Sequence, residues 1–86
     1  MPSTRTLNIF LAVVRGGSFA AAGAQAGLTA AAVGQQMRVL EAELQRPLFD
    51  RGARSVALNG AGLALVAPVE DLVARVAALA KVQDDE

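Results

Sequence analysis

Apolar residues recur along this chain at helical intervals, and short polar or glycine-containing breaks separate the runs. Leu7, Phe10, Leu11 and Val14 step by three, one and three, and Ile9 and Val13 broaden the stripe. This predicts a largely buried helix that begins near Thr4 and stops at Gly16-Gly17. Ser18 is a candidate N-cap, because its hydroxyl oxygen can accept a bond from an unpaired N–H of the first turn. The Ala-rich run from Phe19 to Ala26 predicts a short second helix, ended by Gly27. Thr29 is a second N-cap candidate. Beyond it Val33, Met37, Leu40 and Leu44 step by four, three and four. That spacing predicts a third helix, from Ala30 to about Gln45, with one apolar face.

The pattern then changes period. Pro47 breaks the third helix and favours extended backbone before it. Leu48-Phe49-Asp50-Arg51 and Ser55-Val56-Ala57-Leu58 read as short strands around a Gly52-Ala53-Arg54 turn. From Gly60 to about Gln83 the helical period returns, with Asn59 as its N-cap candidate. Leu65, Val69, Leu72, Val76 and Leu79 step by four, three, four and three, a heptad-like seam, and Val66 and Val73 extend it sideways. A seam this long on a small domain is expected to pair with a second copy, its N-terminal end also packing on its own helices. Pro68 falls inside this helix and should bend it or cost about 3 kcal/mol.

A helix, a glycine-containing turn and a longer helix make the pattern of a helix-turn-helix, whose second helix can enter a DNA major groove. The expected fold is mainly α: a winged helix-turn-helix of three helices and a short two-stranded wing over residues 1–59. A long linker and dimerisation helix with a polar C-terminus occupies 60–86. Phe10 and Phe19 are expected in the core rather than as base-stacking platforms.

Composition narrows the chemistry. The 86 residues include no Cys, His, Tyr or Trp, so disulfides, thiolate metal sites and the usual general base are absent. No pair of acids lies in an apolar setting that would tune it for catalysis, so no enzyme, metal or cofactor is expected. The formal net charge is zero, but its distribution is uneven. Residues 1–60 carry Arg5, Arg15, Arg38, Arg46, Arg51 and Arg54 against Glu41, Glu43 and Asp50. The excess of acids lies beyond residue 60. The basic half therefore holds the helix pair, and the arginine fork suits phosphate and guanine. The uncharged stretch 16–37 is too rich in Gly and Gln for a membrane span, and no signal-peptide pattern opens the chain. The expectation is a soluble cytoplasmic protein.

The whole order resembles the N-terminal DNA-binding domain of LysR-type transcriptional regulators, from about Leu7 to Leu79. Phe10 and Val13 fit the family's first helix, Gly17-Ser18-Phe19 matches its "GSF", and Ala21-Ala22 come next as in the family. Leu40-Glu41 and Leu44 fit the end of its recognition helix. Pro47-Leu48-Phe49-Asp50-Arg51 looks like its "PLFxR", and Arg54, Leu58, Ala61 and Gly62 fit its wing and "LTxAG". The resemblance implies a winged helix-turn-helix regulator that dimerises through the long helix. Family members usually continue into a large effector-binding domain. No inducer, and no small-molecule site, is assigned to the present residues.

The sequence departs from the family at the start of the third helix. The family's "SQPALS-R-Q" has become Thr29-Ala30-Ala31-Ala32-Val33-Gly34-Gln35-Gln36. The positions that face DNA in the family thus hold Ala30, Ala31, Gly34 and Gln35. Positions 30, 31, 34, 35, 38 and 42 lie away from the apolar face, and of these only Gln35 and Arg38 carry long polar side chains. Gln35 is suited to adenine, and Arg38 to guanine or phosphate. Ala30 and Ala31 can touch a thymine methyl. Thr29 and Ser18, at helix N-termini, can meet phosphates. Arg51 and Arg54 flank the wing turn, where the DNA backbone or minor groove would pass. For Arg38 the bland alternative is a surface pair with Glu41, and for Arg51 a structural pair with Asp50 or Glu43. Gln36 lies nearer the core side. The expected partners are duplex DNA and a second copy, joined through Leu65, Val69, Leu72, Val73, Val76 and Leu79. The rival reading is a protein-interaction module that pairs through residues 60–83 and has lost DNA reading.

Overall fold

The computed structural model describes residues 2–51 and 56–82. Four helices and two strands occur in the order α1 (Thr4–Gly16), α2 (Phe19–Ala26), α3 (Ala30–Leu44), β1 (Phe49–Arg51), β2 (Val56–Leu58) and α4 (Gly60–Val82). Each helix begins where a small polar side chain meets its first turn. The Ser3 hydroxyl accepts the Thr6 N–H at 3.1 Å to open α1. At the other end Gly17 takes a left-handed conformation, φ 80°, and its N–H closes on the Val13 carbonyl.

Helix α3 does not need Pro47 to end it. Gln45 adopts φ 56°, and is the one non-glycine with positive φ among the described residues. Its N–H bonds the Ala42 carbonyl at 3.2 Å, and the Arg46 N–H bonds the Glu41 carbonyl at 3.1 Å. These two bonds close the last turn ahead of the proline and compensate for the left-handed backbone.

Leu7, Ile9, Phe10, Leu11 and Val13 from α1, Ala22 from α2, and Val33, Met37 and Leu40 from α3 form the core. Leu48, Phe49 and Val69 complete it. The wing strands pair antiparallel with Phe49 opposite Leu58, Asp50 opposite Ala57 and Arg51 opposite Val56. The expected turn at Gly52-Ala53-Arg54, and Ser55, lie outside the described residues.

Two links fasten α4 to this body. Asn59 donates its side-chain N–H to the Pro47 carbonyl at 3.0 Å, and its Oδ1 accepts the Gly62 N–H at 2.9 Å. A Cβ on Gly62 would collide with the Leu48 carbonyl oxygen and come within 2.7 Å of Leu58 Cδ2. The missing side chain is what lets the first turn of α4 lie against the chain leaving α3. The helix then runs through the exposed Pro68 without interruption.

The heptad-like seam divides as a result. Val69 is 3% exposed within its own chain. Leu65 and Val73 are packed against the same core and half-buried, with Val66 beside them. Leu65, Val69 and Val73, expected to pair with a second copy, also pack on the core of their own chain, as expected for the N-terminal end of the seam. Leu72, Val76 and Leu79, together with Val82, are the exposed apolar residues of the distal half. No helix among the described residues is long and apolar enough to cross a membrane.

Candidate nucleic-acid interface

Helices α2 and α3 are joined by a turn whose geometry is set by three residues. Gly27 adopts φ 73°, and the Leu28 N–H reaches back to the Gly23 carbonyl at 2.8 Å. That return is possible because Gly23 has no Cβ to strike the Leu28 carbonyl oxygen. Thr29 then caps α3, its hydroxyl accepting the Ala32 N–H at 3.0 Å. Ser18 caps α2 in the same way, accepting the Ala21 N–H at 3.0 Å. Both helices thus present ordered N-termini near the surface, with first-turn N–H groups that the caps do not use.

Aromatic packing fixes where these helices lie. Phe49 meets Phe10 edge-on at 6.1 Å between ring centres, and Phe19 at 5.7 Å. Strand β1 therefore couples α1 to the first residue of α2. Phe10 and Phe19 serve as scaffold, and the half-buried Phe19 also carries α3 across its ring.

Ala30, Ala31, Gln35, Arg38 and Ala42 are exposed on α3, on the side away from the buried Val33, Met37 and Leu40. Gly34, expected on the same side, is turned partly inward. It is half-buried, and a Cβ there would stand 3.3 Å from two ring carbons of Phe19. It belongs to the α2–α3 contact, because its angular position brings it onto the helix that precedes the turn.

Gln36, next along, faces the other way. Its Oε1 accepts a hydrogen bond from the Thr6 hydroxyl of α1 at 3.2 Å. Arg38 has no ion-pair partner among the described residues, and the surface pair with Glu41 does not form. The Glu41 carboxylate instead accepts the backbone N–H groups of Leu48 at 2.7 Å and Phe49 at 3.3 Å. It ties the end of α3 to the start of the wing, a role the sequence alone did not reveal. The one signal was its place just ahead of the extended Pro47-Leu48-Phe49 segment. The Arg51 side chain and Arg54, both expected beside the wing turn, lie outside the described residues.

Three helices, an antiparallel two-stranded wing and a long fourth helix define a winged helix-turn-helix domain. The model of bacterial regulatory helix-turn-helix proteins of the lysR family matches residues 4–63, and the chain belongs to that family. It is similar to an uncharacterized HTH-type transcriptional regulator in the ibpB-leuC intergenic region of Azotobacter vinelandii, 48% identical over 61 residues. That match covers 71% of this chain and 42% of the relative. It is 39% identical over 61 residues to the HTH-type transcriptional activator TtdR of Escherichia coli, covering 71% of this chain and 20% of TtdR. The chain thus spans less than half the length of either relative.

Two solved domains are similar in structure. The BenM DNA-binding domain in complex with benA site 1 DNA superposes with a TM-score of 0.87 at 27% identity, over 95% of this chain and 92% of that one. The CbnR DNA-binding domain in its DNA complex gives a TM-score of 0.74 at 34% identity, over 96% and 91%.

Proposed function

We propose that this chain binds duplex DNA sequence-specifically, as the DNA-reading part of a transcription regulator, and acts as a dimer. The observation that carries this is the match, over nearly its whole length, to domains solved on DNA. The exposed face of α3 supports it: Ala30, Ala31, Gln35 and Arg38 lie together beside the capped N-terminus of α3. Gln35 and Arg38 supply hydrogen-bonding groups for base edges or phosphate, and the alanines offer apolar contact. Thr29 and Ser18 place helix N-termini where phosphates can be met. Arg51 and Arg54 add charge on either side of the wing turn in the sequence. The likeness to DNA-bound domains supports this reading over that of an interaction module without DNA recognition.

Dimerisation rests on the distal half of α4, where Leu72, Val76 and Leu79 are exposed. Two subunits would set two α3 helices into major grooves about one helical turn apart.

Selection from a random duplex pool at low salt tests the reading. A two-fold symmetric site is expected to be enriched. With about three phosphate contacts per subunit, the slope of log affinity against log salt should be near −5. Absence of binding at low salt would overturn the reading.

A further inference from the structure

Among the described residues Thr6 is the buried polar one, 5% exposed, and it lies at the opening of α1. Its hydroxyl has two partners. The Ser3 hydroxyl lies 2.9 Å away, and Gln36 Oε1 on α3 lies 3.2 Å away. Gln36 Oε1 can only accept, so the Thr6 proton goes to it and the Ser3 proton goes to Thr6. Ser3 in turn accepts the Thr6 N–H. A directed chain of bonds therefore runs from the α1 cap to the middle of α3.

Around Gln36 the α3 seat is the fully buried, apolar Val33, Met37 and Leu40, and the next polar hold on the helix is a turn further on, where the Glu41 carboxylate accepts the Leu48 and Phe49 N–H groups. Apolar packing holds a helix at its depth but has little directional preference. A hydrogen bond weakens steeply when its angle changes. Gln35 and Gln36 are adjacent, so their side chains leave the helix about 100° apart. Gripping Gln36 thereby sets the direction in which Gln35 points. A rotation of α3 by about 10°, at a side-chain radius of about 6 Å, moves the tip of Gln35 by about 1 Å. That displacement is enough to spoil a bidentate contact to a base.

We propose that Thr6 is a positioning residue for DNA reading: through Gln36 it fixes the rotation of α3 and hence the presentation of Gln35 and Arg38. The inference rests on the DNA-binding reading above. It assigns the residue a role in specificity, beyond its part in stability.

The test compares wild type, Thr6→Val, Thr6→Ser and Gln36→Met for binding to the selected site, to that site with one base pair changed, and to random duplex. Melting temperatures are recorded alongside. Thr6→Val and Gln36→Met are expected to shrink the ratio of affinities for the selected and altered sites at least threefold. Binding to random duplex should hold, and Thr6→Ser should restore the ratio. A lowered melting temperature with an unchanged ratio would overturn the proposal and leave Thr6 a structural residue. Gln36 is half-buried, so Gln36→Met decides the matter even where Thr6→Val does not fold. Failure of the wild type to prefer any site overturns the DNA-reading function itself, an outcome visible before any variant is made.

Discussion

Gly34 and Phe19 stand face to face across the helix-turn-helix, with room for a Cβ only 3.3 Å from the phenyl ring. Two effects compete at this position. Glycine inside a helix costs about 1 kcal/mol relative to alanine. A new Cβ must push the ring by a few tenths of an ångström. Phe19 is half-buried and opens α2, so its ring has space on one side. The propensity gain should win narrowly. Gly34→Ala is expected to stabilise the domain by about 0.5 kcal/mol, and Gly34→Ser to be about neutral. Urea denaturation measures both. A loss of about 1 kcal/mol in Gly34→Ala would show that Phe49 pins the Phe19 ring in place.

Removing the Glu41 carboxylate should unfasten the wing from α3. Two partly buried N–H groups, those of Leu48 and Phe49, would lose their acceptor. Glu41→Ala is expected to cost about 2 kcal/mol, and Glu41→Gln about 1 kcal/mol because an amide oxygen can still accept. Equal losses in the two variants, measured by chemical denaturation, would mean that the charge itself and not the acceptor matters.

Gly62→Ala should be more damaging than its size suggests. The added methyl meets the Leu48 carbonyl oxygen and a methyl of Leu58, so α4 must move off the body. The expected loss is about 2 to 3 kcal/mol. Thermal melting of the variant at matched concentration would show it, and an unshifted melt would contradict the close approach.

Substitutions along α4 should separate folding from association. Val69→Ala opens a core position that is 3% exposed and should cost about 2 kcal/mol of stability. Leu79→Glu alters a position that is 64% exposed and should leave the melt of the single chain intact. In sedimentation it should shift the equilibrium toward monomer. A dimer unaffected by Leu79→Glu and by Leu72→Glu would place the contact elsewhere.

On DNA, Gln35→Ala should change which base is preferred, by about 1 to 3 kcal/mol of discrimination at one position. Arg38→Ala tests whether its guanidinium meets a base or a phosphate. A uniform loss on all sequences with a shallower salt slope indicates phosphate; a loss confined to the selected site indicates guanine.

The element order was legible because each boundary has a local chemical cause. Ser18 and Thr29 cap where a hydroxyl precedes an apolar helix, and Gly17 and Gly27 turn where a left-handed residue is required. The period-four-and-three spacing of Val33, Met37 and Leu40 likewise marks their burial without reference to any other part of the chain. The features that escaped the sequence depend on partners distant along it. Gly34 faces Phe19 fifteen positions earlier, and Thr6 bonds Gln36 thirty positions later. Helical periodicity gives an angle around one axis but not the neighbour that lies at that angle. The same limit explains α4. Its regular seam carries no mark at the point where burial within the chain ends, because the same Leu and Val residues continue on both sides of it.

The anchoring of α4 has a mechanical consequence. Asn59, Gly62 and Val69 fasten its first half to the body, while the distal half continues the same helix with Leu72, Val76 and Leu79 exposed. A helix of 23 residues is about 34 Å long. Helix α4 is continuous from Gly60 to Val82, through Pro68, so the anchored half and the distal half share one axis. In any pair joined at the distal ends, a few degrees of change where the helices cross becomes several ångströms of change in the separation of the two reading heads. Half-site spacing is then a property of helix angle as much as of side-chain chemistry.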